Sequence, residues 1–176
     1  MAPDRAIAEA TRLAAAAHGT DAERPLFIVL ISIHGLIRGR ELELGCDADT
    51  GGQTKYVVEL AKALAQQPQV ERVDLVTRLV ADKNVSDDYA QPIEPLGERC
   101  QIVRLPAGPE AYIPKEQLWP YLGSYADTLH AWLKQQPRWP DLIHTHYADA
   151  GYVGVRLANL TGLPLVHTGH SLGRDK

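Results

Sequence analysis

The chain has 176 residues, 45% of them hydrophobic and 23% charged, which suits one domain with a buried core and argues against wholesale disorder. Its net charge of -4, with 18 Lys and Arg scattered among 22 Asp and Glu, speaks against nucleic acid as a partner, because backbone binding needs clustered cations to displace counterions. Asp4, Arg5, Glu9 and Arg12 interrupt any signal-type stretch, and the apolar run 25–33 is far short of the roughly 20 residues that cross a bilayer. Cys46 and Cys100 form neither a disulfide framework nor a zinc spacing. No membrane partner is expected, and the expected location is cytoplasmic.

In chain order, residues 4–17 are rich in Ala, Glu and Arg and predict a helix, an extension (1–24) to the domain that follows. Residues 26–33 form an almost unbroken apolar, β-branched run, the pattern of a strand buried on both faces of a parallel sheet. A loop rich in Gly and charge spans 34–52. Residues 53–66 predict a helix whose Tyr56, Val57, Leu60, Ala61 and Leu64 share one face. A short strand is expected over 73–77, and no regular element is assigned to 78–97. A strand at 101–105, a helix at 115–134 with Trp119, Leu122, Leu129 and Leu133 inward, a strand at 141–145, a helix at 149–160 and a strand at 163–168 complete the series. Alternation of strand and helix predicts an α/β fold: a Rossmann-like, doubly wound, mainly parallel sheet with helices on both faces.

In such a sheet ligands bind beyond the carboxyl ends of the strands. Three segments there are dense in Gly, His and charge: His34 to Gly39 with Asp47 to Gln53, His146 to Gly151, and Thr168 to Arg174. The turn Thr50-Gly51-Gly52-Gln53 leads into a helix, so its glycines and the unpaired N–H groups of the helix start suit a phosphate or diphosphate. The simpler alternative is that Asp49 or Thr50 only caps the helix. Arg38 and Arg174 offer guanidinium forks to a phosphate. The pairs His144/His146 and His167/His170 resemble metal ligands, but no acidic ligand accompanies them. The expectation is therefore no metal and no cofactor, with these rings bonding to sugar hydroxyls or backbone.

The blocks from Ile31 to Gly39, Glu43 to Gly45, Asp49 to Leu60, Tyr112 to Glu116, His146 to Gly151 and Thr168 to Arg174 together resemble the sucrose-phosphate synthase family. The likeness runs in order from about Phe27 to the last residue. It implies residues 25–176 as part of the N-terminal, acceptor-side domain of a GT-B fold, with the C-terminal donor-binding domain absent and the isolated chain inactive. The implied reaction is retaining transfer of glucose from UDP-glucose to fructose 6-phosphate, giving sucrose 6-phosphate and UDP in sucrose biosynthesis. Those two compounds are the implied partners, UDP-glucose mainly through the other domain. By the same resemblance Gly51, Gly52 and Gln53 approach the reacting centre and His146 meets the glucosyl unit. Arg174, then Arg38 and Lys115, are candidates for the acceptor phosphate, with His170 beside them in the substrate site. No protein nucleophile is implied on this half; stabilisation of developing charge carries the catalysis.

Cys46 stands where relatives of this family often carry a basic residue, Ala111 where some place a lysine and Tyr152 where others vary in charge, which bears on the number of phosphate ligands. Sucrose synthase, acting on free fructose, and a non-catalytic sugar-phosphate binding module are the competing readings. An oxidoreductase is disfavoured, because no Gly-x-Gly-x-x-Gly follows the first strand.

Overall fold

The computed structural model describes residues 24–41 and 49–170. The expected helix at 4–17, Cys46 and Arg174 lie outside the described residues.

Six strands are described: β1 (Leu26–Ile31), β2 (Val70–Arg78), β3 (Ile93–Gly97), β4 (Cys100–Leu105), β5 (Leu142–His146) and β6 (Leu165–Thr168). They form one sheet in the order β3-β4-β2-β1-β5-β6. All pairings are parallel except β3 with β4. Three α-helices connect them: α1 (Gly52–Ala65), α2 (Leu122–Lys134) and α3 (Tyr147–Thr161).

The unbroken apolar character of β1 follows from its place. All six residues are buried, with β2 on one edge and β5 on the other. Its alternate side chains enter two separate cores. Phe27, Val29 and Ile31 pack with Leu122, Tyr125, Ala126 and Leu129 of α2 and with Ala150, Val153 and Leu157 of α3. Ile28 and Leu30 pack on the opposite face with Val57, Val58, Ala61 and Leu64 of α1. Helices therefore cover both faces, and the doubly wound expectation holds.

Two features depart from the sequence reading. The unassigned stretch 78–97 contains a 3₁₀ turn, Asp87–Ala90, and the antiparallel strand β3. That strand is short, half exposed and carries Pro95, which only an edge position tolerates. The helix expected over 115–134 begins instead with two 3₁₀ turns, Lys115–Gln117 and Trp119–Tyr121. Pro120 lacks an N–H and restricts the residue before it, so the α-helix starts only at Leu122. Trp119 consequently does not face inward: it is half exposed and meets Tyr152 edge to face at 6.3 Å. Leu122, Leu129 and Leu133 are buried as expected. Among the described residues no helix is long and apolar enough to cross a membrane.

Candidate functional site

β1 is the point where the winding reverses. From it the chain moves outward through β2 and β4 on one side and through β5 and β6 on the other. The crevice at the carboxyl ends of β1 and β5 is the usual ligand position in an open parallel sheet. The loop after β1 carries His34 to Thr50, and α1 begins at Gly52 above it.

Gly35 makes the close loop packing possible. Its φ of +80 suits glycine, and an added Cβ would stand 2.7 Å from the Asp49 carbonyl oxygen. Gly51 and Gly52 are different: a Cβ at either meets nothing within 4 Å, so the turn faces open space at the head of a 14-residue helix. Neither Asp49 nor Thr50 caps that helix. The N-cap is Gly51, without a side-chain cap bond. Thr50 Oγ1 accepts the Leu36 N–H at 3.0 Å, and the Asp49 carboxylate turns to Lys115. Its Oδ2 accepts the Lys115 backbone N–H at 2.8 Å, and its Oδ1 accepts from Lys115 Nζ. This contact brings Lys115 to the foot of the glycine turn and holds its ammonium above the usual lysine range. Gln53 Nε2 donates to Ser32 Oγ at 3.1 Å, tying the start of α1 to the end of β1.

The strand β5 continues to His146, so His144 and His146 share the face that Leu142 presents to the α1 core. Their ring centroids are 4.2 Å apart. His146 is fully buried. Its Nδ1 lies 3.2 Å from His170 Nε2, and Tyr56 of α1 meets both rings edge to face at 5.9 and 5.3 Å. His144 Nε2 bonds Thr168 Oγ1 at 2.8 Å. Burial, reinforced by the neighbouring histidines, lowers His144 to about 4 and His146 to about 2 and also lowers His170. The rings are therefore neutral near pH 7, with one lone pair each to accept a proton or a hydrogen bond. Among the described residues His146 Nε2 is buried with no hydrogen-bond partner, an uncommon state that points to a role in binding.

The backbone after His146 is strained. Tyr147 has φ of +74, a left-handed conformation that costs a non-glycine residue about 1–2 kcal/mol. Its ring lies edge to face with His34 at 4.6 Å, and His34 Nδ1 bonds Asp149 Oδ2 at 2.9 Å with both side chains buried. The pair fixes the turn that places His146. His34 and Asp149 lie in segments that the sequence singles out, but neither was assigned a role there, because nothing local pairs residues 115 positions apart.

Arg38 lies on the other flank, its guanidinium donating to the Glu41 carbonyl through Nε and Nη2 (3.0 and 2.5 Å) and to Asp88 at 3.2 Å. It stacks over Tyr89 at 5.4 Å. Gly51, Gly52, Gln53, Lys115, His146 and His170 thus belong to one linked set around α1, whereas Arg38 is built into the packing of the β1 loop against residues 86–90.

Residues 51–176 match the glycosyl transferase 4-like domain. The chain belongs to that glycosyltransferase family. It is 45% identical over 181 residues to sucrose-phosphate synthase of Spinacia oleracea, covering 88% of this chain. It is 48% identical over 174 residues to sucrose-phosphate synthase 4 of Arabidopsis thaliana, covering 87% of this chain. In both cases it spans 17% of the length of the relative. The structure of sucrose-phosphate synthase from Thermosynechococcus elongatus superposes with a TM-score of 0.68 at 34% identity, over 84% of this chain and 34% of that one. The resemblance to sucrose-phosphate synthases read from the motifs is thus shown. So is the Rossmann-like architecture of a GT-B glycosyltransferase domain.

Proposed function

We propose that this glycosyltransferase domain is the acceptor half of a sucrose-phosphate synthase. The polypeptide that carries it would transfer glucose with retention from UDP-glucose to fructose 6-phosphate, releasing UDP and sucrose 6-phosphate. The observation that carries the reading is the Gly51-Gly52 turn. It is uncapped, stands in open space at a helix start, and is linked through Asp49 to a lysine. Backbone N–H groups at a helix start favour an anion, here the donor diphosphate or the acceptor oxygen as charge develops.

His146 serves the glucosyl unit. Its neutral ring hydrogen-bonds a sugar hydroxyl and eases charge as the bond to UDP lengthens, without forming a covalent bond to the sugar. Gln53 and His170 contact the sugars. Arg174 and Lys115 meet the acceptor phosphate, with Arg38 a lesser contributor because its donors already serve Glu41 and Asp88. The donor nucleotide is held mainly by a second domain.

The test is glucosyl transfer by a polypeptide that carries this chain together with a donor-binding domain, with fructose 6-phosphate and fructose as alternative acceptors. Arg174→Ala is expected to raise the KM for fructose 6-phosphate by about tenfold or more, the loss of one charge-assisted contact, and to spare the slow reaction with fructose. Equal losses on both acceptors would sink the assignment of Arg174. Equal use of the two acceptors by the unaltered protein would favour sucrose synthase chemistry, and absence of transfer would favour a binding module.

A further inference from the structure

Asp49 sits where three segments of the site meet. Its side chain is 5% exposed, and its carboxylate reaches across to a loop 66 positions away. One oxygen takes the Lys115 backbone N–H and the other takes the Lys115 ammonium. Its carbonyl oxygen occupies the space that a Cβ on Gly35 would need. The adjacent Thr50 holds the Leu36 N–H, and the next residue is Gly51 of the open turn. The approach of 112–115 to this point is itself fixed from behind, by Arg78 on the carbonyls of Ala107, Pro109 and Ala111 and by Asp82 on the Tyr112 N–H. Asp49 is the junction at which that loop is joined to the glycine turn.

We infer that Asp49 is a positioning residue, and that its two-pronged hold on Lys115 sets the distance between the glycine turn and the lysine that meets the acceptor. The inference rests on the acceptor-site reading above. Two contacts from one carboxylate to the amide and the ammonium of a single residue remove both the loop's freedom to slide and the side chain's freedom to swing. A single ion pair on a half-exposed lysine does neither. The arrangement also makes Lys115 a cation already paired with Asp49 and, at 3.2 Å, with Glu116. An arriving phosphate is therefore attracted by a lysine held in place rather than by one free to follow it.

The experiment uses the whole chain, amide hydrogen exchange followed by NMR, and titration with fructose 6-phosphate and with fructose. Asp49→Ala is expected to speed exchange at the Lys115 amide about tenfold or more while leaving Val29 and Leu30 of β1 protected. It is also expected to weaken both sugars. Asp49→Asn keeps one oxygen for the Lys115 N–H, so its Lys115 amide stays protected. Lys115→Met leaves that amide protected too, and weakens fructose 6-phosphate without changing fructose. An unchanged Lys115 amide and unchanged affinities in Asp49→Ala would overturn the inference, and so would loss of protection at Val29 and Leu30, which would make Asp49 a general stability residue. If the unaltered chain binds neither sugar, the acceptor reading loses its support, and the exchange at Lys115 still decides whether Asp49 joins the two loops.

Discussion

Glycines that look alike in the sequence do opposite work in this site. Gly35 is a packing requirement: its left-handed φ and the carbonyl 2.7 Å from its missing Cβ leave no room for a side chain. Gly51 has neither constraint, with φ of -131 and open space around it. Gly35→Ala is expected to destabilise the protein by about 2–4 kcal/mol, combining the left-handed penalty with the clash. At this chain length that lowers the melting temperature by roughly 5–10 °C. Gly51→Ala is expected to stay within about 0.5 kcal/mol of the unaltered protein and, on the proposed function, to reduce glucosyl transfer, because the new methyl would fill the space which that reading gives to a ligand. Thermal melting compared with activity separates the two. A loss of stability at Gly51 as large as at Gly35 would contradict the open turn.

The residues of the site were unevenly legible in the sequence. Gly51-Gly52-Gln53 and the histidines were visible because an uncommon composition was concentrated after strands. Asp49 was visible as part of a motif block and as a potential helix cap, but its partner was not, since Lys115 is 66 positions away. The pairing of His34 with Asp149 escaped for the same reason, the two being 115 positions apart.

At the scale of elements, long-range hydrogen bonds fix the loops that regular structure leaves undefined. Arg78, at the end of β2, is buried and donates to the carbonyls of Ala107, Pro109 and Ala111 at 3.3, 2.8 and 2.7 Å. Burial lowers its affinity for the proton, but a guanidinium remains charged and supplies the fork that these carbonyls need. Arg78→Met is expected to cost about 1–3 kcal/mol, because three carbonyls, of which only that of Ala107 belongs to a buried residue, lose charged donors, and to raise the acceptor KM by loosening 112–115. Urea unfolding and steady-state kinetics check both parts. Arg78→Lys is expected to recover only part of the loss. Arg104 does similar work beside it, holding the Ile37 and Gln91 carbonyls and the Glu94 carboxylate, and so binds the β1 loop to the edge strand β3.

Over the whole molecule, the buried histidines make stability depend on pH. His144 and His146 titrate at about 4 and about 2 when folded, against the ordinary value of about 6.5 once exposed. Below pH 6.5 the unfolded chain binds protons that the folded one refuses. Their contribution is therefore complete above that pH and is lost as pH falls. Between about pH 6 and pH 4 these two rings contribute a slope of about 2.7 kcal/mol per pH unit at most, and His170, also lowered, adds in the same sense. Asp74, raised by burial, acts in the opposite sense and offsets part of the loss at the acid end. Urea midpoints measured across this range should fall with that sense, and His146→Gln should roughly halve the slope. A stability independent of pH between 6 and 4 would mean that the rings are not buried neutral.

The class of fold was determined by the sequence alone. A strand buried on both faces must be apolar throughout, and a helix on one face must repeat its apolar residues every three or four, so β1 and α1 announce themselves locally. The six blocks of motif likewise carried the family resemblance without any coordinates. Only the tertiary structure decided that β3 closes an edge of the sheet, whereas the late start of α2 is a local effect of Pro120 that apolar spacing alone did not show. The tertiary structure alone decided that Asp49 serves a lysine rather than its own helix, and that His146 keeps one nitrogen without a partner among the described residues. Those outcomes depend on which distant segments the sheet brings together at its carboxyl ends, and no local periodicity encodes a partner tens of residues away.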